Sequence, residues 1–312
     1  MSDSRLLIHI GYAKAGSTWL QHNVFNEKRG FITPEPSSLG GSAIAVEQFI
    51  IMNAFRFSAE SVRKVFEPIL QKATKQELVA VLSQESLAGG HIQGRYWGKE
   101  VADKIHAVFP AAQILIIIRE QKSMIKSSYG EYLKLGGAVT IQRYIGSGGT
   151  LIPGFGAICQ LDYLEYDLLI EYYQNLFGRE NVLVLPFELL KKDQQAFAKR
   201  IISFAGSKGV LRNLQTSARN VGVQGATFAV RRNLNLFCAR MNHGGSRFPL
   251  TWRIANKLSS VIDRVIPQSI HKRVGEQLDR LIADDVADCF RESNQRTSHL
   301  IGINLADLGY DC

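Results

Sequence analysis

The chain has 312 residues, 46% of them hydrophobic and 21% charged, which is the composition of an ordinary folded globular protein and excludes a disordered or fibrous one. Its 37 Lys and Arg outnumber 28 Asp and Glu, a formal charge of +9, so anionic partners are favoured: a nucleotide, an acidic or sulfated glycan, nucleic acid or a membrane surface. The cysteines Cys159, Cys238, Cys289 and Cys312 are scattered without metal-ligand spacing and predict reduced thiols, and no apolar run reaches signal-peptide or membrane-span length, so the expected location is the cytoplasm.

Leu6 to Ile10 is a short apolar run of the kind that makes a buried strand. Gly11 to Gly16 is a glycine-bounded loop, and Ser17 to about Glu27 reads as a helix whose Ser-Thr start can cap its own first N–H groups. Strand, glycine loop and helix make an anion cradle, because loop and first-turn N–H groups converge and the helix dipole adds partial positive charge there. Gly11 and Gly16 have Walker A spacing, but Lys14 lies inside the loop, whereas a nucleotide triphosphatase needs its lysine directly after the second glycine.

Phe31 to Gly41, with its prolines and glycines, reads as a loop, and Ala43 to Phe57 and Ser58 to Lys75 have helical periodicity. Glu77 to Leu82 is an apolar strand ending at Ser83-Gln84-Glu85-Ser86. That end places Glu85 where parallel α/β sheets hold their ligands. Arg95 to Phe109 is a helix stopped by Pro110. Gln113 to Ile118 is the most apolar strand, expected at the sheet centre, and runs into Arg119; Gln121 to Leu135 is the following helix. Glycine-rich Gly136 to Gly156 is a candidate acceptor-side lid. Leu161 to Phe177 (helix), Val182 to Leu185 (strand) and Gln194 to Ala205 (helix) complete an alternation that predicts a three-layer α/β fold, a doubly wound parallel sheet flanked by helices.

From Arg212 to Arg280 twelve Lys and Arg stand against Asp263, Glu276 and Asp279. This mainly helical segment is either a solvated face or a surface for an anionic acceptor or membrane, and the sequence favours neither. Asp284 to Leu300 is a closing helix, with Gly302 to Tyr310 folding back on the domain. The expected organisation is a single domain, 1–312, with a nucleotide-binding core over 1–210 and a basic helical region over 211–312.

Tyr12-Ala13-Lys14-Ala15-Gly16-Ser17-Thr18-Trp19-Leu20 resembles the 5′-phosphosulfate loop of sulfotransferases that use 3′-phosphoadenosine 5′-phosphosulfate (PAPS), which reads roughly Tyr-Pro-Lys-Ser/Thr-Gly-Thr/Ser-Thr-Trp-Leu. Ile116-Ile117-Ile118-Arg119, with Ser127 eight residues after the arginine, is similar to the same family's 3′-phosphate motif; Ser128 is an alternative to Ser127. Gln121 departs from the pattern, since the family carries proline there, which bears on how the helix starts. Val182 to Pro186 with Phe187-Glu188-Leu189-Leu190, and the helix ending Phe204-Ala205-Gly206, look like the family's late strand and turn. Arg219-Asn220-Val221-Gly222 faintly resembles its basic-glycine segment over the 3′-phosphate.

The resemblance implies a P-loop-like fold, PAPS as sulfuryl donor, its bisphosphate (PAP) as product, and no metal. It implies a donor cradle of Lys14, Ala15, Gly16, Ser17, Thr18 and Trp19, with Arg119, Ser127 and Arg219 on the 3′-phosphate and Trp19 and Phe187 beside the adenine. A packing role also suits both aromatics, and weighs more for Phe187 than for Trp19. Lys14 is the cation for the leaving oxygen. For the general base Glu85 is the first candidate and His91 the reserve; His9, alternating with apolar residues, reads as a core histidine. The implied acceptor is a hydroxyl or amine of a carbohydrate, glycolipid or other glycoconjugate, not nucleic acid, with peripheral membrane contact and self-association left open. Two other classes compete: a P-loop kinase or triphosphatase, which would need a lysine after Gly16 and an Asp to manage Mg²⁺, and a non-catalytic binder of anionic polymers or membranes.

Overall fold

The structure is a computed structural model, and it describes residues 5–34, 42–146, 157–210, 214, 225–238 and 265–312. The chain opens with strand β1 (Leu6–Gly11) and helix α1 (Ser17–Asn23). A two-residue strand β2 (Phe31–Ile32) follows, where the sequence predicts only a loop; both side chains are buried. Helix α2 (Ala43–Val46) passes into a π turn over Glu47–Ile51 and a 3-10 turn over Ala54–Arg56, so the single helix expected over 43–57 is broken. Helix α3 (Ala59–Lys75) starts at Ser58, whose hydroxyl accepts the Ser61 N–H at 3.3 Å.

Strand β3 (Val79–Ser83), helix α4 (Gly98–Val108), strand β4 (Gln113–Ile118) and helix α5 (Gln121–Lys134) come next. Short helix α6 (Ile141–Ile145) lies in the segment read as a lid, of which 147–156 fall outside the described residues. Helix α7 (Tyr166–Phe177), strand β5 (Val182–Pro186) and helices α8 (Phe187–Lys192) and α9 (Gln194–Phe204) complete the α/β part. Of the basic segment the structure describes helix α10 (Gly225–Cys238) and the first part of α11 (Gln268–Val286); Arg219 lies outside the described residues. The expected closing helix is in fact two, α11 and α12 (Arg291–Ile301), separated at Ala287, whose φ of 45° is left-handed. Asp284 and Asp288 would repel each other across one turn of a continuous helix.

The five strands form one parallel sheet in the order β2-β3-β1-β4-β5. A parallel sheet covered on both faces selects continuous apolar runs, and every residue of β1 is buried accordingly. Helix α3 packs on β2 and β3, and α7 on β4 and β5, while α5 is flanked by α10 and α11. The chain leaves β1 for one side of the sheet and returns to the other through β4, so the topological switch point lies at the carboxyl end of β1. Open α/β sheets bind their ligands there. No helix among the described residues is long and apolar enough to cross a membrane.

His9 is paired in register with Ser83 and is fully buried; its Nδ1 lies 2.9 Å from the Ser83 hydroxyl, so the core reading of this residue holds. Burial pulls its imidazole from 6.5 down to about 3. The unfolded chain therefore binds a proton that the folded one refuses, and the stability present at neutral pH is lost as pH falls through that interval. Between pH 7 and 5, urea unfolding of the wild type should lose about 2 kcal/mol more than that of His9→Gln. Equal losses in the two proteins would refute a neutral His9 in the folded state.

Candidate active site

Four strand ends bring the sequence-predicted groups together. After β1 the loop Tyr12–Gly16 turns into α1, and it makes the turn by putting two residues in the left-handed region: Gly16 at φ 95° and Lys14 at φ 72°. Glycine adopts that conformation freely, whereas a side-chain-bearing residue costs about 1 kcal/mol or more there. The space at Gly16 is also closed, since a Cβ would meet the Phe187 ring at 3.0 Å. Lys14 is held in place from the neighbouring strand end. Arg119, the first residue after β4, donates through one terminal nitrogen to the Lys14 carbonyl at 2.8 Å and through Nε to the Ser123 hydroxyl at 3.0 Å. It makes no other hydrogen bond to the described residues, so donors of its guanidinium remain unused by them.

The Lys14 ammonium sits 3.1 Å from Glu131 Oε2, a partner the sequence reading did not assign to it. Ser123, Ser127 and Glu131 are spaced i, i+4 along α5, so they line one face of that helix. Ser123 meets Arg119 and Glu131 meets Lys14, and Ser127 stands one turn from each of these two residues on the same helix face. The i, i+4 series was the available signal for Glu131 and Ser123. Ser128 points the other way and is fully buried, its hydroxyl 2.8 Å from His91 Nε2.

After β3, a 3-10 turn over Glu85–Ala88 carries Glu85 to the same place. Burial raises the Glu85 carboxyl above the usual range and the Glu131 charge adds to this; the Ser17 hydroxyl and the Lys14 ammonium pull against it. Ser17 Oγ is buried with no hydrogen-bond partner of normal geometry, a donor waiting at the start of α1, and Thr18 beside it is exposed. Glu131 goes the other way: burial opposes its charge, but Lys14, with Lys134 behind it, holds its carboxyl below the usual range. One ammonium thus stands between two carboxylates whose proton affinities are pushed apart.

His91 occupies the core. Its ring is fully buried, its imidazole is pulled by burial down to about 4, and it lies tilted at 53° to the Tyr12 ring with the ring centres 6.0 Å apart. A neutral imidazole with no exposed ring atom does not reach an acceptor in this conformation. The two aromatics have different surroundings. Phe187, at the end of β5, is half-buried with the Arg119 guanidinium 5.3 Å and the Lys191 ammonium 4.9 Å from its ring centre, so it faces the anion site. Trp19 packs edge-on against Phe197 at 6.4 Å, and its indole N–H is buried without a partner.

No protein-family model and no curated protein matches this chain. Among solved structures, a sulfotransferase from Alicyclobacillus acidocaldarius is similar over 97% of both chains with a TM-score of 0.55 and 14% identity. A mouse sulfotransferase complexed with PAP matches 94% of this chain and 89% of its own at 14% identity with a TM-score of 0.37, and a sulfotransferase domain from the curacin biosynthetic pathway matches 82% and 97% at 13% and 0.39.

The opposed effects on Glu85 have a measurable sign. Followed by carboxyl NMR, Glu85 should titrate above the ordinary 4.5, and both Lys14→Met and Ser17→Ala should raise it further, because each removes a group that favours the carboxylate. A Glu85 that titrates lower in either variant contradicts this geometry. With its parallel sheet, its βα loop at the switch point and the first of these likenesses spanning almost all of both chains, the protein has the sulfotransferase fold.

Proposed function

We propose that this protein is a PAPS-dependent sulfotransferase acting on a hydroxyl or amine of a carbohydrate or glycoconjugate, as one domain over 1–312. The observation that carries the reading is the convergence of a loop ammonium, Lys14, a partly desolvated carboxylate, Glu85, and a buttressed guanidinium, Arg119, at the carboxyl ends of neighbouring parallel strands. The residues present suit a bis-anionic nucleotide: Ser17 sets a buried hydroxyl at the start of α1 beside Glu85, Gly16 takes the left-handed backbone conformation of a loop turning into a helix, and Arg119 keeps donors unused by the described residues. Lys14, Ala15, Gly16, Ser17 and Thr18 would hold the 5′ end, and Arg119 and Ser127, with Arg219, the 3′-phosphate. Phe187 and Trp19 would flank the base.

Bound there, PAPS would supply the sulfuryl group, and the acceptor oxygen or nitrogen forms the new bond to sulfur as the bond from sulfur to the phosphate oxygen breaks. Glu85 takes the acceptor proton; its raised proton affinity makes it a stronger base than an exposed glutamate. Lys14 faces the electron pair that stays on the departing phosphate oxygen, where a fixed cation in a water-poor site is worth most. The loop N–H groups and Ser17 fix the direction of transfer, a positioning contribution. Glu131, paired with lysines on both sides, is a poor base and a good counterion.

Calorimetric titration with PAP, run in parallel with ATP and Mg²⁺, tests the donor. Binding of PAP only is expected, weakened in Lys14→Ala and Arg119→Ala. Glu85→Gln should bind PAP as the wild type does while transfer falls on the order of 10²–10⁴-fold. ATP binding without PAP binding would instead support a kinase, and binding of neither a non-catalytic module.

A further inference from the structure

Helix α5 carries Ser123, Ser127 and Glu131 and begins right after Arg119, so the direction in which it starts decides where the 3′ anion site lies. Its first turn is tied down to an unusual degree. Glu120 caps the helix, its carboxylate accepting the Lys122 and Ser123 N–H groups at 2.8 and 2.7 Å. Gln121, the first helical residue, turns its side chain inward, 1% exposed, and donates to Asn294 Oδ1 at 2.7 Å and to the Leu164 carbonyl at 3.3 Å. Asn294, on α12 and fully buried, returns a bond to Gln121 Oε1 at 3.3 Å and donates to the Asp311 carbonyl at 2.8 Å. Asp311 also pairs with the Lys122 ammonium at 2.5 Å, and the neighbouring Tyr310 hydroxyl donates to Glu188 Oε2 at 3.0 Å, while Glu188 Oε1 accepts the Glu120 N–H at 3.4 Å. The carbonyl of Arg119 itself accepts from Tyr166 at 2.6 Å.

We propose that the buried amide pair Gln121–Asn294, with the segment 305–311 that it anchors, is the device that aims α5 and so positions Arg119 and Ser127 for the 3′-phosphate of the nucleotide. Gln121 and Asn294 are positioning residues and touch no ligand. A satisfied pair of amides in the interior tolerates only one register, because a slip of either element leaves polar groups buried without partners. The link runs through 173 residues of sequence and joins the nucleotide core to the last described helix. The inference rests on the nucleotide reading given above, and the experiment separates the two.

Gln121 stands at the first helical position, where the N–H has no intrahelical partner, and Glu120 before it has φ −50° and ψ 128°. Both conditions suit proline, which fixes the same helix start without any side-chain bond. Gln121→Ala and Gln121→Pro therefore remove the same hydrogen bonds and differ only in whether the start of α5 is held. Titration with PAP should show about tenfold weaker binding for Gln121→Ala and binding within about threefold of wild type for Gln121→Pro. Adenosine 5′-phosphate, which lacks the 3′ group, should bind the wild type and both variants alike. Thermal melts check that the variants fold; if Gln121→Ala does not, Asn294→Ser alone and combined with Gln121→Pro makes the same comparison, weakened and then restored. The proposal is overturned if Gln121→Ala binds PAP as the wild type does, if the proline variant is as weak as the alanine one, or if the 5′-phosphate loses equally. A wild type that binds no PAP would overturn the nucleotide reading itself.

Discussion

The bond from Arg119 to the Lys14 carbonyl is the contact on which the site depends. Lys14 is held in a left-handed backbone conformation that no L side chain prefers, and only the surroundings keep it there. The guanidinium supplies a charge-assisted hydrogen bond to the carbonyl of the strained residue, an interaction of about 1.5–3 kcal/mol, enough to offset the cost. Because the same guanidinium is fixed by Ser123 at the start of α5, the two strand ends are joined by one rigid planar group. A disturbance in the loop after β1 is thus felt at the start of α5 through a chain of two hydrogen bonds.

The charges at the site form a balanced set. Lys14 pairs with Glu131 and lowers the proton affinity of both carboxylates near it, yet burial wins at Glu85 and loses at Glu131. The difference has a local cause. Glu131 has a second lysine, Lys134, on its own helix, whereas Glu85 lies in a turn between strand and loop with only a hydroxyl and a shared ammonium. Pairs of acids pushed apart in this way are how one site holds a base and a counterion at the same pH. An anion drawn to Lys14 would compete with Glu131 for it, and Glu131 would keep Lys134.

Much of this was legible in the sequence, and what was not has identifiable reasons. The strand-loop-helix cradle, Lys14, Arg119 and Glu85 could be read because each sits beside a break in hydrophobic pattern at a strand end. Edge strand β2 was hidden because two residues are too few to show a period, and its existence depends on pairing with β3. The surroundings of Phe187 and Trp19 could not be read, since an aromatic beside a motif carries no sign of which way its ring turns. Glu131 was not paired with Lys14 because that partner is 117 residues away. His91 follows two glycines, a context that does not foretell burial, yet it is fully buried and bonded to Ser128 on α5.

The fold is shared with a sulfotransferase at only 14% identity over nearly the whole chain, because a fold and a site make different demands on sequence. A parallel sheet needs apolar runs of suitable volume, and many sequences supply them. The cradle needs particular groups at particular strand ends, and few residues meet that need. Around those groups the supports are free to change, provided that each polar atom taken inside finds a partner. Gln121 shows how this works in the present chain: a polar side chain turned inward at the start of α5 is acceptable because Asn294 arrives from α12 to satisfy it. The C-terminal elements are therefore part of the core that shapes the candidate site, and the start of α5 cannot be understood from the α/β part alone.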